Sequence, residues 1–291
     1  WLNTSTNINF NFTATDTDGI SVCQLWSNFT GAWSLNQTIT PITSGVQNTI
    51  LKNLSDGTYK WNVWCNDSSN NGDWGNPLNN NTFYVDTVYP LINYGLQTTN
   101  NNSNQTSTSI FVNVSVTEVN ENTIVFRLSN QSGIYNTTSS TSGLRQVNWT
   151  NLVDGVYTFN VTINDSAGNT NNTQSWLVRV DTTEPTLNLI TPASINYATT
   201  TINLNYTVTD ATTSVNTCKF SVKNSTNYFL ITNQTLTNCQ NTTFVVVAGD
   251  IDYTILLFAN DTVGNYEEIN QVFGVRTISP AVVLNNPIVP I

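Results

Sequence analysis

The sequence predicts an all-β chain of three tandem sandwiches, the first of them completed by a donated strand. Three observations lead there. One pattern returns every 95 residues, side chains within it alternate with a period of two, and clusters of Asn, Ser, Gly and Thr separate short β-branched runs. No stretch keeps a helical period.

The repeat is clearest at three prolines. Val85-Asp-Thr-Val-Tyr-Pro90 returns as Val180-Asp-Thr-Thr-Glu-Pro185 and as Val275-Arg-Thr-Ile-Ser-Pro280, so Pro90, Pro185 and Pro280 stand 95 residues apart. Inside each unit runs a second signature, Asp56-Gly-Thr-Tyr59 to Asn66-Asp67 and Asp154-Gly-Val-Tyr157 to Asn164-Asp165. The third copy is degenerate, Asp250-Ile-Asp-Tyr253 to Asn260-Asp261. Within the signature Tyr59, Trp61, Val63 and Cys65 share one face, and Lys60, Asn62, Trp64 and Asn66 the other, as a half-buried antiparallel strand requires. In the second copy Tyr157, Phe159, Val161 and Ile163 alternate in the same way with Thr158, Asn160, Thr162 and Asn164. About seven short strands in about 95 residues reads as an immunoglobulin-like sandwich.

The boundaries expected are 1–86 for a first unit lacking its opening strand, 87–181 and 182–277 for two complete units, and 278–291 for a C-terminal donor strand. Proline fixes φ and donates no hydrogen bond, so the short Asp-Thr-x-x-Pro joints should be stiff, giving a rod of stacked sandwiches.

These motifs, with Asn164-Asp-Ser-Ala-Gly-Asn169 between them, resemble the tandem Ig-like repeats of archaeal and bacterial cell-surface proteins, of glycosylated filament, surface-layer or adhesin type. The resemblance covers the whole chain, is sharpest in the second unit and blurs in the third. It implies a surface location more than any one activity, since sandwiches host many functions. Tyr59, Tyr157 and Tyr253 look like tyrosine corners, whose hydroxyl pins a turn.

Composition narrows the function. Only 9% of the 291 residues are charged, and a net charge of −10 arises from just 8 Lys and Arg, too few to form the basic footprint of a nucleic-acid binder. No apolar run approaches the length of a transmembrane segment, and an initial Trp suggests a mature or trimmed product. Without histidine no Ser-His-Asp or Cys-His arrangement exists, and no phosphate loop or dinucleotide fingerprint occurs. Asp16-Thr-Asp18-Gly19 and Asp67-Ser-Ser69 are better read as turns than as the start of a calcium loop, for neither is followed by the closing Glu. No enzyme, no metal and no cofactor other than covalent glycan is expected.

Four cysteines allow three pairings; joining those within one unit gives Cys23–Cys65 and Cys218–Cys239, and suits an oxidising exterior. Val125 and Ile163 stand near the corresponding positions in the second unit, and an apolar pair there suggests an optional staple on a core that folds without it. Asn-x-Ser/Thr triplets recur at aligned positions: Asn11, Asn113 and Asn205; Asn28, Asn130 and Asn224; Asn66, Asn164 and Asn260. Composition alone does not align sequons threefold, so these nine are expected to carry N-glycans.

The two ends fit each other. On the 95-residue period Ile291 falls opposite Asn196, and Trp1 aligns with Ile195. The head begins where the tail stops. The tail carries Ala281, Val282, Val283, Leu284, Ile288, Val289 and Ile291, and is more apolar than the opening strands at Leu91 and Thr186 that it matches. The expectation is a structural filament subunit joined head to tail to identical subunits, Pro280–Ile291 completing the first unit of the next, with a host or neighbouring cell surface as a further partner. A rival is a slice of a longer stalk, adhesin or surface-layer protein. Another is a carbohydrate-binding module using Trp26, Trp33, Trp64 and Trp74, against which Trp26 alternates like a core residue.

Overall fold

The computed structural model describes residues 1–141 and 143–283. Of the expected donor residues, Leu284, Ile288, Val289 and Ile291 therefore lie outside the described residues, while Ala281, Val282 and Val283 are exposed and in no strand. Among the described residues there is no α-helix and a single 3₁₀ turn, Thr237–Cys239.

Each repeat folds as two facing sheets around its own core. In the first, β1 (Ile8–Thr13) pairs with β4 (Gln47–Lys52), and the facing sheet runs β3 (Ser34–Ile39), β2 (Ile20–Ser27), β5 (Gly57–Asp67), β6 (Gly72–Trp74), with β7 (Asn81–Val85) further along β5. In the second, β8 (Leu91–Tyr94), β10 (Ile110–Thr117) and β13 (Gln146–Trp149) make one sheet. The other has β11 (Glu121–Asn130) between β12 (Gly133–Ser140) and β14 (Gly155–Asp165), then β16 (Trp176–Val180) and β9 (Ser103–Gln105), with β15 (Thr170–Asn172) beside β14.

The third repeat sets β17 (Thr186–Thr191), β19 (Thr201–Thr209) and β22 (Thr242–Val245) against a second sheet. That sheet runs β18 (Asn196–Tyr197), β24 (Tyr266–Arg276), β23 (Asp250–Asp261), β20 (Val215–Asn224), β21 (Phe229–Leu236). The three cores are built from inward positions, such as Phe10 and Leu25, Phe126 and Phe159, and Phe220 and Leu257.

The signature residues explain themselves locally. Tyr59, Tyr157 and Tyr253 are buried, and each hydroxyl donates to a carbonyl just upstream: Ser55 at 2.9 Å, Val153 at 2.9 Å and Val247 at 3.0 Å. Asp56 and Asp154 accept from Thr87 and Thr182, the threonines of the following joint, through both backbone N–H and hydroxyl. The two motifs are thus halves of one hydrogen-bonded corner.

The disulfides join Cys23 to Cys65 and Cys218 to Cys239. The apolar equivalent in the second repeat is shifted by one residue: Ile124, fully buried, faces Ile163, whereas Val125 pairs with Thr162 and is only half-buried. The cause is the turn after the acidic residue, which has one residue fewer between Glu118 and Glu121 than between Asp16 and Ile20. In the third repeat Cys218 stands opposite Ala259, which is why its bond turns aside to Cys239 in the 3₁₀ turn. Trp26 is also not a core residue. Leu25 and Ser27 point inward, and Trp26 lies on the outer face of β2, its ring edge-on to Trp74 at 6.0 Å and its N–H donating to Gln24 Oε1.

Burial of Tyr94 pushes its phenol up to about 12 from 10.0, and its hydroxyl donates to Gln174 O at 2.7 Å. Burial likewise pushes Tyr206 up to about 12. A raised folded-state value favours the protonated form, so this stabilisation is complete below pH 10 and is lost as pH rises through about 12. Burial also raises Tyr157 and Tyr253, so phenolate absorbance in an alkaline titration should show a late component that shrinks, without vanishing, in a Tyr94→Phe, Tyr206→Phe variant.

Candidate functional site

The first repeat differs from the others in one lane of its smaller sheet. In the second repeat β8 lies along β10, with Tyr94 opposite Val114 and Leu91 opposite Thr117, and Ile92 enters the core. On the far side of β8, Asn171 of β15 donates to Pro90 O at 2.9 Å. In the third repeat β17 lies along β19 in the same way, with Leu187 opposite Val208 and Leu189 opposite Tyr206.

The corresponding lane of the first repeat is open. Among the described residues β1 has β4 on one side and no strand on the other. A groove of about 460 Å³ runs there, with Phe12 to Asp16 on one wall, Gly72 to Gly75 on the other, and Ile20, Val63 and Cys65 in its floor. Phe12 and Ala14 hold the places of Val114 and Val116, and the smaller Ala14 leaves added room. The next lane is filled. Leu2 bridges to Val85 in parallel, as β9 does to β16 and β18 to β24, and Trp1 stacks on Tyr84 at 4.5 Å.

At each joint between repeats, acidic side chains converge. Asp86, Glu118 and Asp165 each offer an oxygen within 4.8 Å of the others, as do Asp181, Asp210 and Asp261. All but Glu118 and Asp210 are buried. Oxygen sets of this kind are what a hard divalent cation takes, but here the carboxylates already accept protein donors. Asp165 receives the Ala167 and Asn169 N–H groups and the Asn169 amide, and Asp86 receives Val88 N–H and the Asn120 amide. Asn169 also donates across the joint to Asp86 O at 2.8 Å and Val88 O at 3.2 Å; Asn265 repeats this toward Asp181 O at 3.1 Å.

In the first repeat Asp67 and Asn71 make the same local turn, and the Asn71 amide and N–H hold the Asp67 carboxyl below its usual range. Sequence reading did not find the triads, because their members are separated by tens of residues. The available signal was the alignment of the joint aspartate, the strand-ending acid and Asn-Asp across repeats.

The nine aligned sequon asparagines are all exposed or half-buried, and the structure brings them into no common site. Asn130 and Asn224 open turns through their side-chain oxygens, while the Asn28 side-chain oxygen accepts from Lys60 N–H of β5. Asn113 is the most constrained, its amide donating to Leu96 O and lying close against Gly95. Of the four tryptophans, Trp64 and Trp74 pair across β5 and β6 on the outer face with Trp26 nearby, while Trp33 is exposed in the loop between β2 and β3.

Residues 94–182 match the family model described as Bacterial Ig-like domain. That match falls on the second repeat, and all three repeats share the Ig-like sandwich fold. No curated protein matches it by sequence. Among solved structures it is similar to three N-terminal domains of the bacteriophage RB49 Highly Immunogenic Outer Capsid protein, at 11% identity over 95% of this chain and 96% of that one, with a TM-score of 0.39. Fibronectin(III)-like modules of Clostridium thermocellum CbhA share 13% identity over 67% of this chain and 100% of theirs, TM-score 0.30. The FN1–FN3 domains of chicken CNTN1 share 9% over 93% and 98%, TM-score 0.30. These overlaps are loose, and no function passes from them to this chain. Ig-like domains are typically binding or structural rather than enzymatic, and together with two disulfides they fit a secreted or surface protein. No helix among the described residues is long and apolar enough to cross a membrane.

The joint amides give a test with an internal control. Asn169→Ala removes a buried donor shared by two repeats and should cost about 1–3 kcal/mol in denaturant unfolding. Asn71→Ala, exposed and confined to one repeat, should cost under about 1 kcal/mol.

Proposed function

We propose that the chain is a structural subunit of an extracellular, N-glycosylated filament, assembled head to tail by strand donation from Pro280–Ile291 into the first repeat of the next copy. The observation that carries this reading is the open lane beside β1, lined as β8 and β17 are lined in the other repeats. On the 95-residue period Val282 takes the place of Ile92 and Leu187, both buried, opposite Ala14; Leu284 takes that of Tyr94 and Leu189, opposite Phe12. Val282 is 80% exposed in its own chain and thus available to a neighbour.

An inserted strand adds ladder hydrogen bonds to β1 and closes the core, which is β-augmentation. Burying four or five apolar side chains at about 1.5–3 kcal/mol each contributes roughly 10 kcal/mol before association costs, enough to hold a polymer. The contact is heterologous and open-ended, the geometry that generates fibres. The sequons would then sheathe a weakly charged polymer in sugar.

A second reading has one observation in its favour. Leu2 enters the first repeat in the lane of β9, the point that the second repeat reaches after β8, so a preceding segment of a longer surface protein would fill the groove equally well. Intact mass of the native product separates the two.

Deleting Pro280–Ile291 should abolish filaments in electron micrographs while the three repeats stay folded by circular dichroism. Filaments that persist without the tail would contradict strand donation.

A further inference from the structure

The outer sheet faces carry aromatic side chains beside two of the aligned sequons and none beside the third. In the first repeat Asn66 lies two residues after Trp64 on the same face of β5, opposite Gly72 of β6, and Trp64 is opposite Trp74. The indole of Trp64 leans over Gly72, so closely that a Cβ there would meet Trp64 Cζ2 at 2.2 Å. The ring is thus drawn toward Asn66 by the absence of a side chain across from it. In the third repeat Asn260 lies two residues after Phe258 and opposite Tyr266, whose rings stack at 5.5 Å and 29°. Tyr266 is 56% exposed. In the second repeat the same places around Asn164 are held by Thr162 and Thr170.

A second observation follows the same division. The side-chain oxygens of Asn66 and Asn260 are buried with no hydrogen-bond partner, and that of Asn164 is not among such atoms. A buried, unpartnered amide oxygen is costly, and aromatic faces half open to solvent leave apolar surface uncovered. Both deficits occur at the two asparagines that have rings beside them.

We infer that Trp64 and the Phe258–Tyr266 pair are seats for the first sugar of N-glycans on Asn66 and Asn260, so that these two glycans are packed parts of the fold while any on Asn164 stands free. The inference rests on the N-glycosylation proposed above and gives it a division of labour. A pyranose presents a face of axial C–H groups, which packs on the electron-rich face of an aromatic ring. Its hydroxyl groups supply the donors that the two oxygens lack. The attachment is short and fixed to a strand, so the sugar reaches a ring on the same face at little cost in conformational freedom.

The test uses glycoprotein from the native host. Glycopeptide mass spectrometry first reads occupancy at Asn66, Asn164 and Asn260. Sequons are then removed without touching asparagine by Ser68→Ala, Ser166→Ala and Thr262→Ala, each alone and combined with a change of the neighbouring rings, Trp64→Thr or Phe258→Thr with Tyr266→Thr. Hydrogen exchange of β6 and of the Tyr266 end of β24 is measured in each.

Loss of the sugar should speed local exchange roughly 2- to 10-fold in the first and third repeats, and this effect should vanish when the rings are already gone. Ser166→Ala should leave β15 unchanged. Occupied sites whose sugar alters exchange equally with and without the rings would overturn the packing while leaving glycosylation in place. Absence of sugar from all nine aligned asparagines would overturn both.

Discussion

Unpaired backbone at a sheet edge, above an apolar floor, is the constraint on which this chain turns. Peptide N–H and C=O groups at such an edge template another strand. Two of the repeats meet the constraint internally, β8 covering β10 and β17 covering β19. The first repeat leaves it open beside β1, over Ile20, Val63 and the Cys23–Cys65 bond. The bond is consistent with that openness, because a smaller core surrendering one strand gains most from a covalent link between β2 and β5.

The joints link neighbouring repeats by hydrogen bonds from both sides. Asp56 and Asp154 hold the joint threonine from one side, while Asn169 and Asn265 reach back from the next repeat to the joint carbonyls. The aspartate and threonine of Val-Asp-Thr, and the aspartate and last asparagine of Asn-Asp-x-x-x-Asn, are thereby hydrogen-bonded, which accounts for the repetition of those positions. The third copy departs from the pattern where no described repeat follows. Arg276 replaces the joint aspartate and pairs with Asp252 at 2.5 Å, and Gly249 rather than an aspartate meets Thr277.

Much of this was legible in the sequence because it is local or repeated. Alternation along β5 and β14 exposes core and outer faces directly, and the tyrosine corners span only four to six residues. What escaped depended on small shifts and long separations. A one-residue difference in a turn moved the counterpart of Cys23 from Val125 to Ile124. Trp26 reads as a core residue by alternation, whereas Leu25 and Ser27 set the inward phase of β2, and a serine at the core face gives no hydrophobic signal. The acidic triads join residues as far apart as Asp86 and Asp165 and become visible only when the joint is folded.

The central claim is that the lane beside β1 receives a strand from another copy. Backbone hydrogen exchange of Thr13 and Thr15, whose counterparts Ser115 and Thr117 face β8 in the second repeat, reads that lane directly. The account predicts slow exchange of these amides in assembled material and fast exchange in dissociated subunits, with β10 and β19 protected in both. Equal, fast exchange of Thr13 and Thr15 in the assembled state would contradict it.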